Sequence, residues 1–262
     1  MKRKNNNALA IAITTLGMIG TSSATVIFDA SPTNTTQINN GIAGTPGSLT
    51  GTPGNLIYTN GGGNFDFSGF TSTSDVNTLN GTDIVSTDVV TATIDVFGFS
   101  GAELRANGID FGFNNDTVLG AESVGDLQLR LNASNDGGAI QTFFNGGDEL
   151  NSGSNTNVAQ LTDGFTATLV ADVNGYTFTI DGATASQLVI DGTFSGTEFV
   201  DTIGNAHFTF SQQHRNNDQA ANPGDLSSLI AEASIEVVSI PEPSSTALLG
   251  LGGLALIMRR RK

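Results

Sequence analysis

Phe165-Thr166-Ala167-Thr168-Leu169-Val170-Ala171-Asp172-Val173-Asn174-Gly175-Tyr176-Thr177-Phe178-Thr179-Ile180-Asp181-Gly182 alternates apolar and polar residues on both sides of Asn174-Gly175. Successive side chains of a strand point to opposite faces, so a period of two gives each arm one buried and one wet face. Asn-Gly is the pair best suited to the positive φ angles of a type I′ turn, which predicts a hairpin turning at Asn174-Gly175. Outward from this hairpin, strands are predicted at Val26–Phe28, Val89–Phe99, Ile109–Phe113, Leu127–Leu131, Ile140–Phe144, Leu188–Ile190, Ala206–Phe210 and Ile235–Val238. Between them lie segments rich in Gly, Asn, Thr, Ser and Asp, and no stretch sustains a capped helical period for more than about ten residues. The expected fold class is therefore all-β, an antiparallel β-sandwich. A right-handed β-helix is the rival, but it would need a fixed period of about 20–30 residues, which is not visible. The Gly/Thr/Asn-rich segment Asn39–Gly63 is expected to be a long surface loop or a decorated edge, because strands flank it.

Charge is distributed unevenly. The 262 residues include 25 Asp and Glu against 10 Lys and Arg. Most of those cations sit at the two ends, so Arg105, Arg130 and Arg215 are the only ones between residues 25 and 240, and that body has a net charge of about −21. Such a surface repels nucleic acid and anionic lipid, which excludes both as partners of the body, and it favours solubility and association with divalent cations. There is no cysteine, so disulfides, thiolate metal sites and thiol chemistry are all absent. Stability must come from an apolar core, to which the 16 Phe contribute, each worth roughly 1.5–3 kcal/mol when buried.

The two ends read as targeting segments. Met1-Lys2-Arg3-Lys4 is basic, Ala8–Ile19 is apolar, and small residues follow at Gly20-Thr21-Ser22-Ser23-Ala24. This is the layout of a secretory signal peptide, with Ser22 and Ala24 small enough for the narrow pockets of a signal peptidase. Cleavage after Ala24 would leave Thr25 as the mature N-terminus. At the other end, Pro241-Glu242-Pro243 leads into an apolar run at 247–258, which includes Ala247, Leu248, Leu249, Leu251, Leu254, Leu256 and Ile257, and then Arg259-Arg260-Arg261-Lys262. A helix over this run would reach about 18 Å, short of the roughly 30 Å hydrocarbon core, so it is a marginal anchor. The basic cluster acts as a cytoplasmic stop and keeps the body outside the cytoplasm, the same side that the signal peptide predicts.

The Pro-Glu-Pro triplet, the short Leu/Gly/Ala-rich segment and the terminal Arg cluster together resemble the PEP-CTERM sorting signal. This resemblance implies an exosortase-type protease as partner, transient anchoring in the inner membrane, removal of the tail near Pro241-Glu242-Pro243, and delivery to the cell surface or exopolysaccharide matrix of a Gram-negative-type bacterium. The expected organisation is a signal peptide at 1–24, an acidic β-sandwich at 25–240 and a sorting tail at 241–262. Within the body, Asp110 to Val238 resembles the concanavalin A-like lectin/LamG jelly roll. The likeness rests on the strand Tyr176-Thr177-Phe178-Thr179-Ile180-Asp181-Gly182 and on the late strand Ile235-Glu236-Val237-Val238, able to pair with Val26-Ile27-Phe28. It implies a jelly-roll sandwich and leaves carbohydrate binding open.

Catalytic constellations are sparse. A glycosidase needs two carboxylates about 5–9 Å apart across a cleft, and the Glu-x-Asp-x-x-Glu spacing of jelly-roll glucanases does not occur. Glu232 and Glu236 fall on one strand face but lack an intervening acid. His207 and His214 lie seven apart around one strand, expected on opposite faces, and no Gly-x-Ser-x-Gly elbow accompanies them. With no Trp, and Tyr58 and Tyr176 as the only tyrosines, sugar-stacking platforms are few. The cofactor to consider is Ca²⁺. Asp110 with Asn114, Asn115 and Asp116 puts oxygen-bearing side chains on a strand end and the loop after it, although the spacing is not that of an EF-hand, and Arg215-Asn216-Asn217-Asp218 is a second polar loop. Ordinary Asx turns between strands are the favoured account of both loops. The expected function is a non-enzymatic, exported structural or adhesive protein. The alternatives are a lectin-like module that binds extracellular polysaccharide and, more remotely, a polysaccharide-acting enzyme.

Overall fold

In the computed structural model of the chain, the described residues are 22–39, 47–60, 67–101, 103–115, 126–131, 140–144, 163–182, 187–215 and 226–240. Fourteen strands and two short helices are formed by them. The strands are β1 (Ala24–Asp29), β2 (Thr35–Asn39), β3 (Ser48–Thr52), β4 (Asn55–Thr59), β5 (Phe67–Ser72), β6 (Asp88–Gly101) and β7 (Glu103–Asn114), followed by β8 (Leu127–Leu131), β9 (Ile140–Phe144), β10 (Phe165–Asp172), β11 (Gly175–Gly182), β12 (Leu188–Thr193), β13 (His207–Arg215) and β14 (Leu226–Ser239). The helices are α1 (Val76–Asn80) and α2 (Glu198–Gly204), which lie on the connections between β5 and β6 and between β12 and β13. One sheet has the order β12-β11-β10-β6-β14-β4-β3, with β1 also on β14; the other has the order β2-β5-β13-β7-β8-β9. Every described strand pair is antiparallel.

The sandwich predicted from the alternation is thus present, and so is the pairing of first and last strands: Ala24 lies opposite Val238 and Val26 opposite Glu236. Two expectations need correction. The hairpin turns at Val173-Asn174, one residue earlier than expected, because Asp172 pairs with Gly175. The Asp172 carboxylate accepts the Asn174 N–H at 2.7 Å, an Asx turn that sets the corner. Gly175 begins the return strand, where it is required for another reason: a Cβ there would strike the Gly192 carbonyl of β12. The second concerns Asn39–Gly63, whose described residues 47–60 form a hairpin at the sheet edge, so the edge alternative holds and the long loop does not. β3 and β4 meet at Pro53-Gly54, with Gly54 at φ 84°, and Leu49, Leu56 and Tyr58 are buried.

The core explains why the sheets fit. Phe70, Phe111, Phe113, Phe208 and Phe210 of the six-stranded sheet are all buried. Facing them, the middle strands of the other sheet carry small residues at Ala92, Ala167, Ala171 and Ala233, between larger ones such as Ile94, Phe178 and Ile235. Large rings on one face and alanines on the other let two pleated layers interdigitate without voids. Phe111 meets Phe178 edge-on at 6.4 Å, and Phe28 meets Phe208 at 5.4 Å. A polar seam crosses one end of this core, where the buried Ser228 hydroxyl donates to the Gln212 amide oxygen of the opposite sheet and Ser68 donates to Asn60. Tyr58 packs beside this seam on Phe70 and Phe210, and burial pushes its phenol well above the ordinary tyrosine range.

Phe111→Ala removes a ring wedged between Phe178 and Phe208. Unfolding in urea, followed by circular dichroism, is expected to show a loss of about 3–5 kcal/mol. A loss below about 1 kcal/mol would mean that this ring does not lie between the two sheets.

Candidate functional site

The acid-and-amide set around Asp110 lies on the outer side of the six-stranded sheet. Ile109, Phe111 and Phe113 point inward from β7, so Asp110 and Asn114 point away from the core. Asp110 is nonetheless buried, 1% exposed, and its carboxylate takes a two-pronged hold from Arg130 of the neighbouring β8: Nε at 2.7 Å on one oxygen and Nη2 at 3.2 Å on the other. A guanidinium that neutralises both carboxylate oxygens occupies the place a cation would need. Asn114 is fully buried, Asn115 is exposed and donates its backbone N–H to Asp126 at 2.9 Å, and Asp116 lies outside the described residues. The described members of this set therefore do not form a Ca²⁺ cradle. Among the described residues, no three His, Cys, Asp or Glu side chains converge to hold a metal ion. Arg215 is described only as backbone at the end of β13, and Asn216, Asn217 and Asp218 lie outside the described residues.

The two histidines stand near opposite ends of β13. His207 donates from Nδ1 to the Ser72 carbonyl at 2.8 Å, tying β13 to β5, while His214 lies opposite Leu104 beyond a register shift. Glu232 and Glu236 both face outward from β14. Glu232 accepts from the Ser234 hydroxyl at 2.6 Å and sits opposite Asp95, while Glu236 sits opposite Thr91. Tyr58 and Tyr176 are both buried and so offer no sugar platform at the surface.

The outer face of the eight-stranded sheet was not singled out by the sequence reading. The register places Ser234, Thr93, Thr168, Thr179 and Val189 in one row across five strands. On one side runs the row Glu232, Asp95, Thr166 and Asp181; on the other runs Glu236, Thr91, Val170, Thr177 and Asp191. A band of hydroxyls is thus flanked by carboxylates. Two grooves lie at the ends of the β10–β11 arms. One, of about 380 Å³, lies at Asp95, Phe97, Asp163, Thr166 and Asp181; the other, of about 270 Å³, lies at the turn by Asp172, Asn174, Thr177 and Asp191. The Thr166 hydroxyl donates to Asp95 at 3.3 Å, and the Thr177 hydroxyl to Asp191 at 2.7 Å. The three Arg of the body, Arg105, Arg130 and Arg215, all belong to strands of the other sheet. The signal that could have found it was in the sequence: Thr91, Thr93, Asp95 and Phe97 share one parity of a strand whose other parity, Val90, Ala92, Ile94 and Val96, is wholly buried.

Both ends of the described sandwich leave it at one corner. Ala24 opens β1 opposite Val238, and β14 ends at Ser239, two residues before Pro241. Ser22 and Ala24 are exposed there. Residues 1–21, the Pro241-Glu242-Pro243 triplet, the apolar run and the basic cluster lie outside the described residues. Among the described residues no helix is long and apolar enough to cross a membrane.

Residues 239–262 match the PEP-CTERM protein-sorting motif over its apolar and basic parts as well as the triplet. The tail is a PEP-CTERM sorting motif. That motif implies export and a membrane-anchored tail before processing. Among solved structures the sandwich is similar to arcelin-5, a lectin-like defence protein from Phaseolus vulgaris, at 10% identity and a TM-score of 0.52, over 83% of this chain and 98% of that one. It is equally similar to a lectin from Bauhinia forficata solved in complex with GalNAc, at 9% identity and a TM-score of 0.52, over 84% of this chain and all of that one. These likenesses establish the legume-lectin type of jelly roll as the fold. No curated protein sequence matches the chain.

The acidic face has a titration consequence. The Asp29 carboxyl is held above the usual carboxylate range by burial, and further by the charge of Glu232. A raised carboxyl binds its proton more tightly in the folded state, so this group adds stability as pH falls through its folded value and withdraws it as pH rises. Glu232→Gln is expected to bring Asp29 back toward its ordinary value in an NMR titration; no movement would show that Glu232 does not act on it.

Proposed function

We propose that the chain is an exported protein, anchored through its tail in the inner membrane, processed by an exosortase-type protease, and delivered to the cell surface or exopolysaccharide matrix. There its sandwich has a structural or adhesive, non-catalytic role. The observation that carries this reading is the sorting motif at 239–262. Its supports are the basic-apolar-small layout of residues 1–24 and the exit of both ends from one corner, which lets the body stand on the membrane by a single pole until the tail is cut. The body itself is suited to a hydrated matrix. About −21 charges keep it soluble and apart from nucleic acid, and a cysteine-free core does not depend on the redox state outside the cell.

Adhesion through carbohydrate is the form of this role that we favour. A jelly roll like that of a GalNAc-bound lectin supports it, though the fold by itself does not choose a ligand.

Deleting Pro241–Lys262 is expected to move the protein from the membrane fraction to the periplasm or medium, as followed by fractionation and immunoblotting, with the sandwich still folded because it ends at Ser239. Membrane association that survives the deletion would remove the tail from its role as anchor.

A further inference from the structure

The groove where β6, β10 and β11 meet on the eight-stranded sheet has the composition of a sugar site. Phe97 is an aromatic ring open to solvent on this face, at 51% exposure. It lies where Asp95, Asp163 and Asp181 surround a cavity of about 380 Å³, within the range of small-ligand sites. The floor is backbone: Gly164 and Gly182 line it, and a Cβ at Gly164 would come within 2.8 Å of the Val96 carbonyl oxygen and 2.9 Å of the Phe97 carbonyl carbon. Gly164 is also at φ 113°, where other residues are strained, so a glycine is needed both for the approach and for the backbone. Gly164 is therefore held as glycine by the β6 backbone beside it.

We propose that this groove binds one or two residues of an uncharged polysaccharide, with Phe97 stacking against the apolar face of a pyranose ring and the carboxylates of Asp95, Asp163 and Asp181 accepting from its hydroxyls. The inference rests on the carbohydrate-contacting role proposed above and assigns it a place and a ligand class. Three carboxyl groups around one groove offer acceptors for adjacent hydroxyls, and hydrogen bonds to carboxylates are among the stronger ones. The same acids exclude uronate or sulfated chains, since the sheet carries no Lys or Arg to pair them. A metal ion is a poor occupant, as the described acids do not converge closely enough to hold one. Beyond the groove the row of Thr93, Thr168 and Thr179 continues the hydrogen-bonding surface across the sheet.

The test is affinity electrophoresis of the full-length protein, purified in detergent, through gels containing an uncharged β-glucan, galactomannan or dextran, anionic alginate, or cationic chitosan. Phe97→Ala and Asp181→Asn are run beside it, and both side chains are exposed, so neither change should disturb the fold. The proposal expects retardation by at least one uncharged polysaccharide and none by alginate, with binding weakened about tenfold or more in each variant. Retardation by an uncharged chain that is unchanged in both variants would overturn the groove and leave the carbohydrate role standing. Retardation by alginate, or by chitosan alone, would overturn the ligand class. No retardation by any of the polysaccharides would overturn the carbohydrate role itself, and the groove with it.

Discussion

The structure depends on the pairing of β14. From Leu226 to Ser239 it lies against β6, and its other side is shared by β4 at Ser227–Ile230 and β1 at Ser234–Val238. A strand held on both sides has its backbone groups satisfied by neighbours, which its buried position requires. β14 is also the last of the described strands, and its partners β1, β4 and β6 all lie far before it in the sequence. Contacts of such large sequence separation carry the loop-closure cost that makes β-sandwiches slow to fold. The inner faces then complete the arrangement, with phenylalanines from one sheet set against alanines and branched residues of the other.

This arrangement separates the charges. The three cations of the body fall on the six-stranded sheet, where Arg130 neutralises the buried Asp110, and the eight-stranded sheet keeps an outer face of hydroxyls and carboxylates with none. Closing β1 on β14 also brings Ala24 and Ser239, the two ends of the described sandwich, to one corner. The strand order thus sets both the fold and the separation of charge.

Much of the fold was legible because its strands alternate with a period of two over most of their length. Leu127–Leu131 and Ile140–Phe144 have the predicted bounds, and the pairing of Val26–Phe28 with Ile235–Val238 is the one expected from their alternation. The misses have local causes. Asn174-Gly175 is a strong turn signal, yet the Asp172 side chain turned the chain one residue earlier, and the glycine was used for close approach to β12. Ser48–Thr59 was hidden by its Gly and Thr content, although Pro53-Gly54 marks a two-residue turn. The site was less legible than the fold. Asp110 and Asn114 are oxygen-bearing as a cation site requires, but the sequence could not reveal that Arg130, twenty residues on, would lie beside Asp110. The Phe97 groove joins residues from three strands that only the register brings together.

The pairing of β1 with β14 is the claim on which the common exit of the two ends depends, and a chain without cysteine allows it to be tested cleanly. Val26 and Glu236 lie directly opposite on the outer face, where facing Cα atoms are about 4.5–5.5 Å apart, within the span of a disulfide. Val26→Cys and Glu236→Cys introduced together should form an intramolecular disulfide on mild oxidation, seen by mass spectrometry of a peptide digest as one cross-linked pair. Thiols that stay free, or that link only between molecules, would contradict the closure of the first strand on the last.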